Sequence, residues 1–322
     1  MPRPQVVVIG KTPLTGGGER SPPPTTVTLG SSSESPKLKP DPQPPKPLNV
    51  GVFVDTATPV GGAIYQGVKA AGDHASGRNV QCWKRNEFEA FDTVIFMGIP
   101  PAAEEAVAMY RELLTPIFFV ELGHIKRACN SHQTDKYYQL CVNALASIAT
   151  DLCSDDRRLA LGVERPKTYK KQGGYILLLG QKPGDAQHDI RDMIGWKTRQ
   201  CKAIQEVTDR PIKFRKHPKD LNPRESASTN TLEQDFEGAW AVVTHNSNAG
   251  LKALMYGLPV VADPSAFFAP ICQDLANIDK PKAVKKKDFE SLFNRIAYSQ
   301  WLPSELVTGE PWRRIKQCCL AS

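Results

Sequence analysis

The chain has 322 residues, 40% of them hydrophobic, with 41 Lys and Arg against 34 Asp and Glu for a formal net charge of +7. That length accommodates two domains of ordinary size, and the apolar share is adequate for packed cores. No apolar run reaches the roughly 18 residues of a membrane span, and Val7-Val8-Ile9 is too short for the apolar centre of a signal peptide.

The basic excess is mild and fits an anionic partner such as a nucleotide, a nucleic acid or a membrane surface. Much of it, Lys282 and Lys285-Lys286-Lys287 for example, reads rather as a solvated face. The cysteines (Cys82, Cys129, Cys141, Cys153, Cys201, Cys272, Cys318 and Cys319) form no CxxC pair and no zinc spacing. Scattered in this way, they point to a reduced, cytoplasmic protein.

In chain order, residues from about 11 to 47 are dominated by Pro, Ser, Thr, Gly and Lys, as in Ser21-Pro22-Pro23-Pro24. This composition buries too little apolar surface to order a chain, so 1–47 reads as a disordered, partly polyproline-like tail. Gln5-Val6-Val7-Val8-Ile9 within it reads either as an added strand or docking segment, or as more of the tail. Order is expected from near Leu48. Asn49–Asp55 predicts a buried parallel strand, and Gly61-Gly62 the start of a helix running through Ala71. Strands are expected at Asn79–Trp83, Asp92–Met97 and Pro116–Glu121, with a helix near Ala102–Leu113. Short apolar strands alternating with helices predict a parallel sheet covered on both faces.

A second series begins after the basic stretch Arg165–Lys171. It reads as a strand at Gly174–Gly180, a long helix at Asp189–Thr208, and strands at Pro211–Arg215, Trp240–Thr244 and Pro259–Ala262. Helices are expected near Lys287–Tyr298 and Pro311–Cys319. The fold class expected is therefore α/β, with two Rossmann-like domains facing across a cleft. Residues 48–165 would form an acceptor domain and 166–310 a second domain, with a C-terminal helix over 311–322 that could cross back to the first.

The most informative stretch is Trp240–Ala262, which reads as buried strand, polar turn, helix, Gly stop and second strand. It sets Asn246, Ser247 and Asn248 where a strand ends and a helix begins. The N–H groups and dipole of such an end suit an anion, above all a phosphate, although Ser or Asn there would also serve as an ordinary cap. Three other polar segments follow strands on the same sheet edge: Gly180-Gln181-Lys182-Pro183-Gly184-Asp185, Arg215-Lys216-His217-Pro218 and Asp263-Pro264-Ser265. Ligands of open α/β sheets bind at such carboxyl ends. The chain has neither a GxxxxGK[ST] loop nor a GxGxxG after its first strand, which excludes a P-loop kinase and the usual dinucleotide fingerprint. A phosphate ester held without those loops points to a nucleotide-sugar.

Taken together, Arg215-Lys216-His217-Pro218, Gln181–Asp185 and Asn246–Val260 resemble a GT-B glycosyltransferase. More narrowly they resemble the capsule-polysaccharide-synthesis type, which includes Kdo transferases, and related phage-encoded proteins. Val120–Arg127 resembles a Gly-aromatic-x-Lys/Arg loop of that group, and Ser299–Trp312 its C-terminal signature. Two residues depart from the pattern: His124 stands where an aromatic, usually Tyr, is expected, and Glu121 where Asp is usual. Both lie on the acceptor side.

The resemblance implies a nucleotide-sugar donor on the second domain and an acceptor on the first, in a cytoplasmic enzyme (host cytoplasm if phage-encoded). His217 would contact the donor phosphate with Lys216 or Arg215, Ser247 and Asn248 would hold it through the helix end, and Gln181 and Asp185 would lie near the sugar or nucleoside. No cofactor and no metal are implied. The acceptor is a glycan or a hydroxymethylated base in phage DNA. The base taking its proton would be Asp55 first, at the end of the first strand, with Glu121 and His124 as the others, although each also reads as structural: Asp55 as a turn cap, Glu121 as a partner of Arg127, His124 as a satisfied loop residue. A nucleotide-sugar epimerase or hydrolase and a non-catalytic nucleotide-sugar binder are the competing readings, since fold does not fix chemistry.

Overall fold

The computed structural model describes residues 46–322 except 79–87, 149–152, 165, 167, 170, 171, 186, 189, 224, 225, 227, 321 and 322. The tail and the strand expected at Asn79–Trp83 lie outside the described residues.

The first sheet holds β1 (Asn49–Phe53), β2 (His74–Gly77), β3 (Thr93–Met97), β4 (Ile117–Leu122) and β5 (Tyr138–Val142), in the order β5-β4-β3-β1-β2. The inner strands are parallel, as the alternation predicts, but β5 runs antiparallel to β4, with Phe119 opposite Cys141. No helix is described between β4 and β5, and a parallel return would need a crossover. The sheet is therefore mixed rather than parallel throughout.

Period-two burial splits its side chains between two cores. Val50, Val52, Phe118 and Val120 pack against α1 (Pro59–Ala70), while Phe53, Phe96 and Phe119 pack against α2 (Glu104–Glu112). Helix α1 opens at Pro59, two positions ahead of the expected Gly61-Gly62, and the Thr58 hydroxyl caps it by accepting from Gly61 N–H at 3.2 Å. Gly61 is needed for close approach: a Cβ there would stand 2.0 Å from the Asp55 carbonyl oxygen.

A short helix, α3 (Asp156–Ala160), leads to the second sheet. Its strands are β6 (Tyr175–Leu179), β7 (Ile212–Arg215), β8 (Ala239–Thr244) and β9 (Val260–Ala262), in the order β7-β6-β8-β9 and parallel throughout. Helix α4 (Met193–Gln205) covers one face. The other is covered by α6 (Asn248–Tyr256), which follows the short α5 (Leu232–Glu237), and by α7 (Lys286–Ala297). Burying one such Leu, Ile or Phe contributes about 1.5–3 kcal/mol, so these layers dominate the stability. Ile125, just beyond β4, packs into the core of the second sheet.

The chain end returns to the first sheet. β10 (Gln300–Trp301) pairs antiparallel with β5, followed by α8 (Pro303–Leu306) and α9 (Glu310–Leu320). Trp312 packs edge-on to Phe118 and donates to Asp73 Oδ2 at 2.7 Å, and Lys316 reaches the same carboxylate at 2.6 Å. Arg157 of α3 holds the return through Glu305 and the Gln300 carbonyl, with its guanidinium 4.0 Å over the Trp301 ring. Among the described residues no helix is long and apolar enough to cross a membrane.

Candidate active site at the carboxyl edges of the two sheets

The loops after β6, β7 and β8 are fixed by hydrogen bonds within and between them. After β8, the Thr244 hydroxyl accepts from Ser247 N–H at 3.3 Å and from Gln181 Nε2 at 3.1 Å, tying the loops after β6 and β8 together. Ser247 is the N-cap of α6, its hydroxyl accepting from Ala249 N–H at 3.2 Å, and that hydroxyl still has its own hydrogen to donate. Gly250 lets α6 lie against the end of β8, since a Cβ there would stand 2.8 Å from Thr244 Cγ2. Gly257 ends the helix in the left-handed region at φ 84°. Asn246 donates to the Gln187 carbonyl at 2.9 Å.

His217 follows β7 and is half-buried, and burial lowers its pKa against the opposing pull of Asp185. Its Nδ1 accepts from Lys219 N–H at 3.0 Å, so in the neutral ring Nε2 carries the hydrogen and acts as a donor. The two cations before it are engaged elsewhere. Arg215 bonds the fully buried Asp235 and the Asn230 carbonyl, and Lys216 donates to the Asn222 carbonyl. Asp235 also pairs with Lys213 at 2.7 Å. Burial pushes the Asp235 carboxyl up, but hydrogen bonds from Lys213, Arg215 and Asn230 outweigh it and hold it below the usual range.

The edge of the second sheet also carries an imidazole–carboxylate contact, His245 Nδ1 to Asp263 Oδ2 at 3.4 Å, with the His188 ring edge-on to His245 at 5.7 Å. Among the described residues, no group of three or more His, Cys, Asp or Glu is placed to hold a metal ion.

From the first sheet, Glu121 and His124 come to this edge. Burial and the negative charge of Asp185 both raise the Glu121 pKa. A carboxylate near the end of β4 and one beyond β6 therefore lie within electrostatic reach, and His217 feels the same Asp185 charge. Asp185 is itself 4.0 Å from Lys182. The Glu121 carboxylate rests over Gly98, where a Cβ would be 3.0 Å from Oε1.

His124 is buried and packs against Phe267 with ring centroids 4.4 Å apart and the rings tilted by 36°. Its Nδ1 lies 3.1 Å from Asn248 Oδ1, and Asn248 Nδ2 donates to the His124 carbonyl at 3.0 Å. Burial pushes the His124 pKa down to about 4, and its Nε2 is buried with no hydrogen-bond partner. Asp55 sits in an Asx turn at the start of α1, where its carboxylate accepts from Ala57 N–H at 3.0 Å.

The structure thus brings Glu121, Asp185 and His217 into one electrostatic field and His124 onto Asn248. Arg215 and Lys216 bond away from the loop ends. Sequence reasoning missed Gln300, whose side chain accepts from the N–H groups of His124 and Ile125 and donates to the Ile125 carbonyl. Nothing local signals this contact between residues more than 170 positions apart.

No protein-family model matches the sequence, and no curated protein matches it. Among solved structures the chain is similar to the Thermosulfurimonas dismutans KpsC beta Kdo 2,4 transferase, with 15% identity and a TM-score of 0.47, covering 80% of this chain and 98% of that one. It is also similar to the beta Kdo 2,7 transferase of the same KpsC, with 13% identity and a TM-score of 0.47, covering 83% of this chain and 99% of that one.

Proposed function

We propose that this chain is a glycosyltransferase that moves a sugar from a nucleotide-sugar to an acceptor hydroxyl. The donor lies at the carboxyl edge of β6–β9, and the acceptor is presented from the β1–β4 side. The contact of His124 with Asn248, which joins the loop beyond β4 to the start of α6, and the Asp185 charge that acts on both Glu121 and His217 carry this reading. Glycosyl transfer needs a base for the acceptor proton and donors for the departing phosphate, and these residue types supply both.

In the reaction, the bond from the anomeric carbon to the phosphate oxygen breaks and a bond to the acceptor oxygen forms. The acceptor proton passes to the Glu121 carboxylate, and the nucleotide leaves with the electron pair. Glu121 suits the role because burial and Asp185 raise its basicity above that of an ordinary glutamate. His217 Nε2–H donates to the leaving phosphate, helped by the Ser247 hydroxyl and the α6 terminus. The Gln181 amide is anchored on Thr244, leaving its carbonyl oxygen for a sugar or nucleoside hydroxyl. Asn246 and Asn248 shape the loop, while Arg215 and Lys216 frame His217. His124, neutral and turned onto Asn248, acts as a positioning residue rather than the base. In this scheme the helix end and the imidazole meet the phosphate charge without a metal ion.

The test is nucleotide release from a panel of nucleotide-sugars in the presence of sugar acceptors. Glu121→Gln should lower the transfer rate by about 100-fold or more while donor binding persists. Conversion of the sugar without any acceptor would indicate an epimerase or hydrolase instead.

A further inference from the structure

Two hollows adjoin at the start of α1, and both are lined by Thr58. The larger, about 720 Å³, is lined by the polar groups of Thr56, Tyr65, Gln66, Thr134 and Ser304 and by apolar residues that include Ala63 and Val307. The smaller, about 240 Å³, is lined by Phe53, Met97, Asp55, Ser131 and His132 among others. It borders β3 where Met97 precedes Gly98, the residue under the Glu121 carboxylate. The volume of the larger hollow lies in the range of about 300–1,000 Å³ that holds a small organic ligand.

The chemistry of the lining selects the ligand. No Lys or Arg lines either hollow, among the described residues. Lys69, whose ammonium stands 5.7 Å over the Tyr65 ring, is outside the lining. A phosphodiester backbone or an anionic sugar is gripped by cations, and above all by Arg. Hydroxyls and an amide beside aromatic and apolar surface instead match a ligand that offers many hydroxyls and no charge. Asp55, the one carboxylate in the lining, would repel an anion and accept from a sugar hydroxyl.

We propose that the two hollows form one extended acceptor groove for an uncharged oligosaccharide, its terminal residue in the smaller hollow at the end of β3, the strand next to the one that carries Glu121, and its preceding residues along α1 and α8. This rests on the glycosyltransferase reading and adds the acceptor class, a neutral glycan rather than DNA. The basic balance of the chain then belongs to other surfaces.

The experiment is calorimetric titration of the full chain with neutral hexose tri- and tetrasaccharides, with oligouronates of equal length, and with a duplex containing 5-hydroxymethylcytosine. Ser304→Trp blocks the groove from the exposed start of α8, and Gln66→Glu adds a charge on an exposed turn of α1 without filling space. Neutral saccharides should bind the native protein and lose about tenfold or more in Kd in Ser304→Trp, with a smaller loss in Gln66→Glu. Tighter binding of the uronates, salt-sensitive binding of the duplex, no neutral saccharide bound, or neutral binding indifferent to both variants would each overturn the proposal. Nucleotide-sugar titration of the same samples should be unchanged by either variant. Failure of the native protein to bind any nucleotide-sugar would instead sink the glycosyltransferase reading.

Discussion

Asn248 at the start of α6 and His124 beyond β4 hold each other through two contacts, Nδ2 to the His124 carbonyl at 3.0 Å and Oδ1 to the His124 ring at 3.1 Å. Because the amide donates to the carbonyl, its oxygen is left to accept, which places the ring hydrogen on Nδ1. Asn248→Ala strands both His124 groups in a buried place. The expected cost is about 1–3 kcal/mol in denaturant-induced unfolding, and no loss would mean that the bridge is incidental.

The buried His124 also predicts a pH dependence. Its pKa falls from 6.5 in the unfolded chain to about 4 in the folded one, so between those values the unfolded state holds more protons. The stabilisation is complete above about pH 6.5, declines as pH falls, and levels off below about pH 4, a total of roughly 3 kcal/mol. His217 is lowered in the same direction, so the comparison must be with a variant. His124→Gln should flatten the stability–pH curve across that window; an unchanged slope would show that His124 does not carry it.

Glu121 and Asp185 make a prediction about activity. The negative charge of Asp185 adds to burial in raising the Glu121 pKa. A base works only when deprotonated, so kcat/KM should rise with pH through a midpoint above the ordinary glutamate range. Asp185→Asn removes the like charge and should move that midpoint to lower pH. A midpoint that stays in place, or moves up, would assign the limb to another group.

Arg215 and His217 stand two residues apart, and the structure gives them different surroundings. Arg215→Ala leaves the buried Asp235 with one cation fewer and should cost about 3 kcal/mol of stability, with donor KM little changed once the protein is folded. His217→Ala should do the reverse, raising donor KM or abolishing turnover with a near-native melting temperature. Interchanged effects would place Arg215 on the donor.

Much of this architecture was legible in the sequence. β1, β3, β4, β6, β8 and β9 are largely apolar runs bounded by turn residues, β7 alternates apolar and basic residues, and all were expected close to their places. Two of the strands overlooked lack that signature. β2, His-Ala-Ser-Gly, is polar and half exposed, and β10 is a two-residue pairing made by tertiary contact. β5 was also not foreseen, and with it the antiparallel edge. At the site, segment positions were legible because polar residues follow apolar strands. Side-chain partners were not: nothing near Arg215 tells that Asp235 will claim it, and nothing near His124 tells of Asn248 or Gln300.

The most direct measurement is thermal stabilisation by a panel of nucleotide-sugars, read for the native chain, Ser247→Ala, Ser247→Asp and His217→Ala. A ligand of the native state raises its melting temperature by mass action. At least one nucleotide-sugar should stabilise the native protein, less so Ser247→Ala and His217→Ala, and not at all Ser247→Asp, whose carboxylate would face the phosphate. Stabilisation by none of them, or equal stabilisation of all four proteins, would contradict a phosphate site at the start of α6.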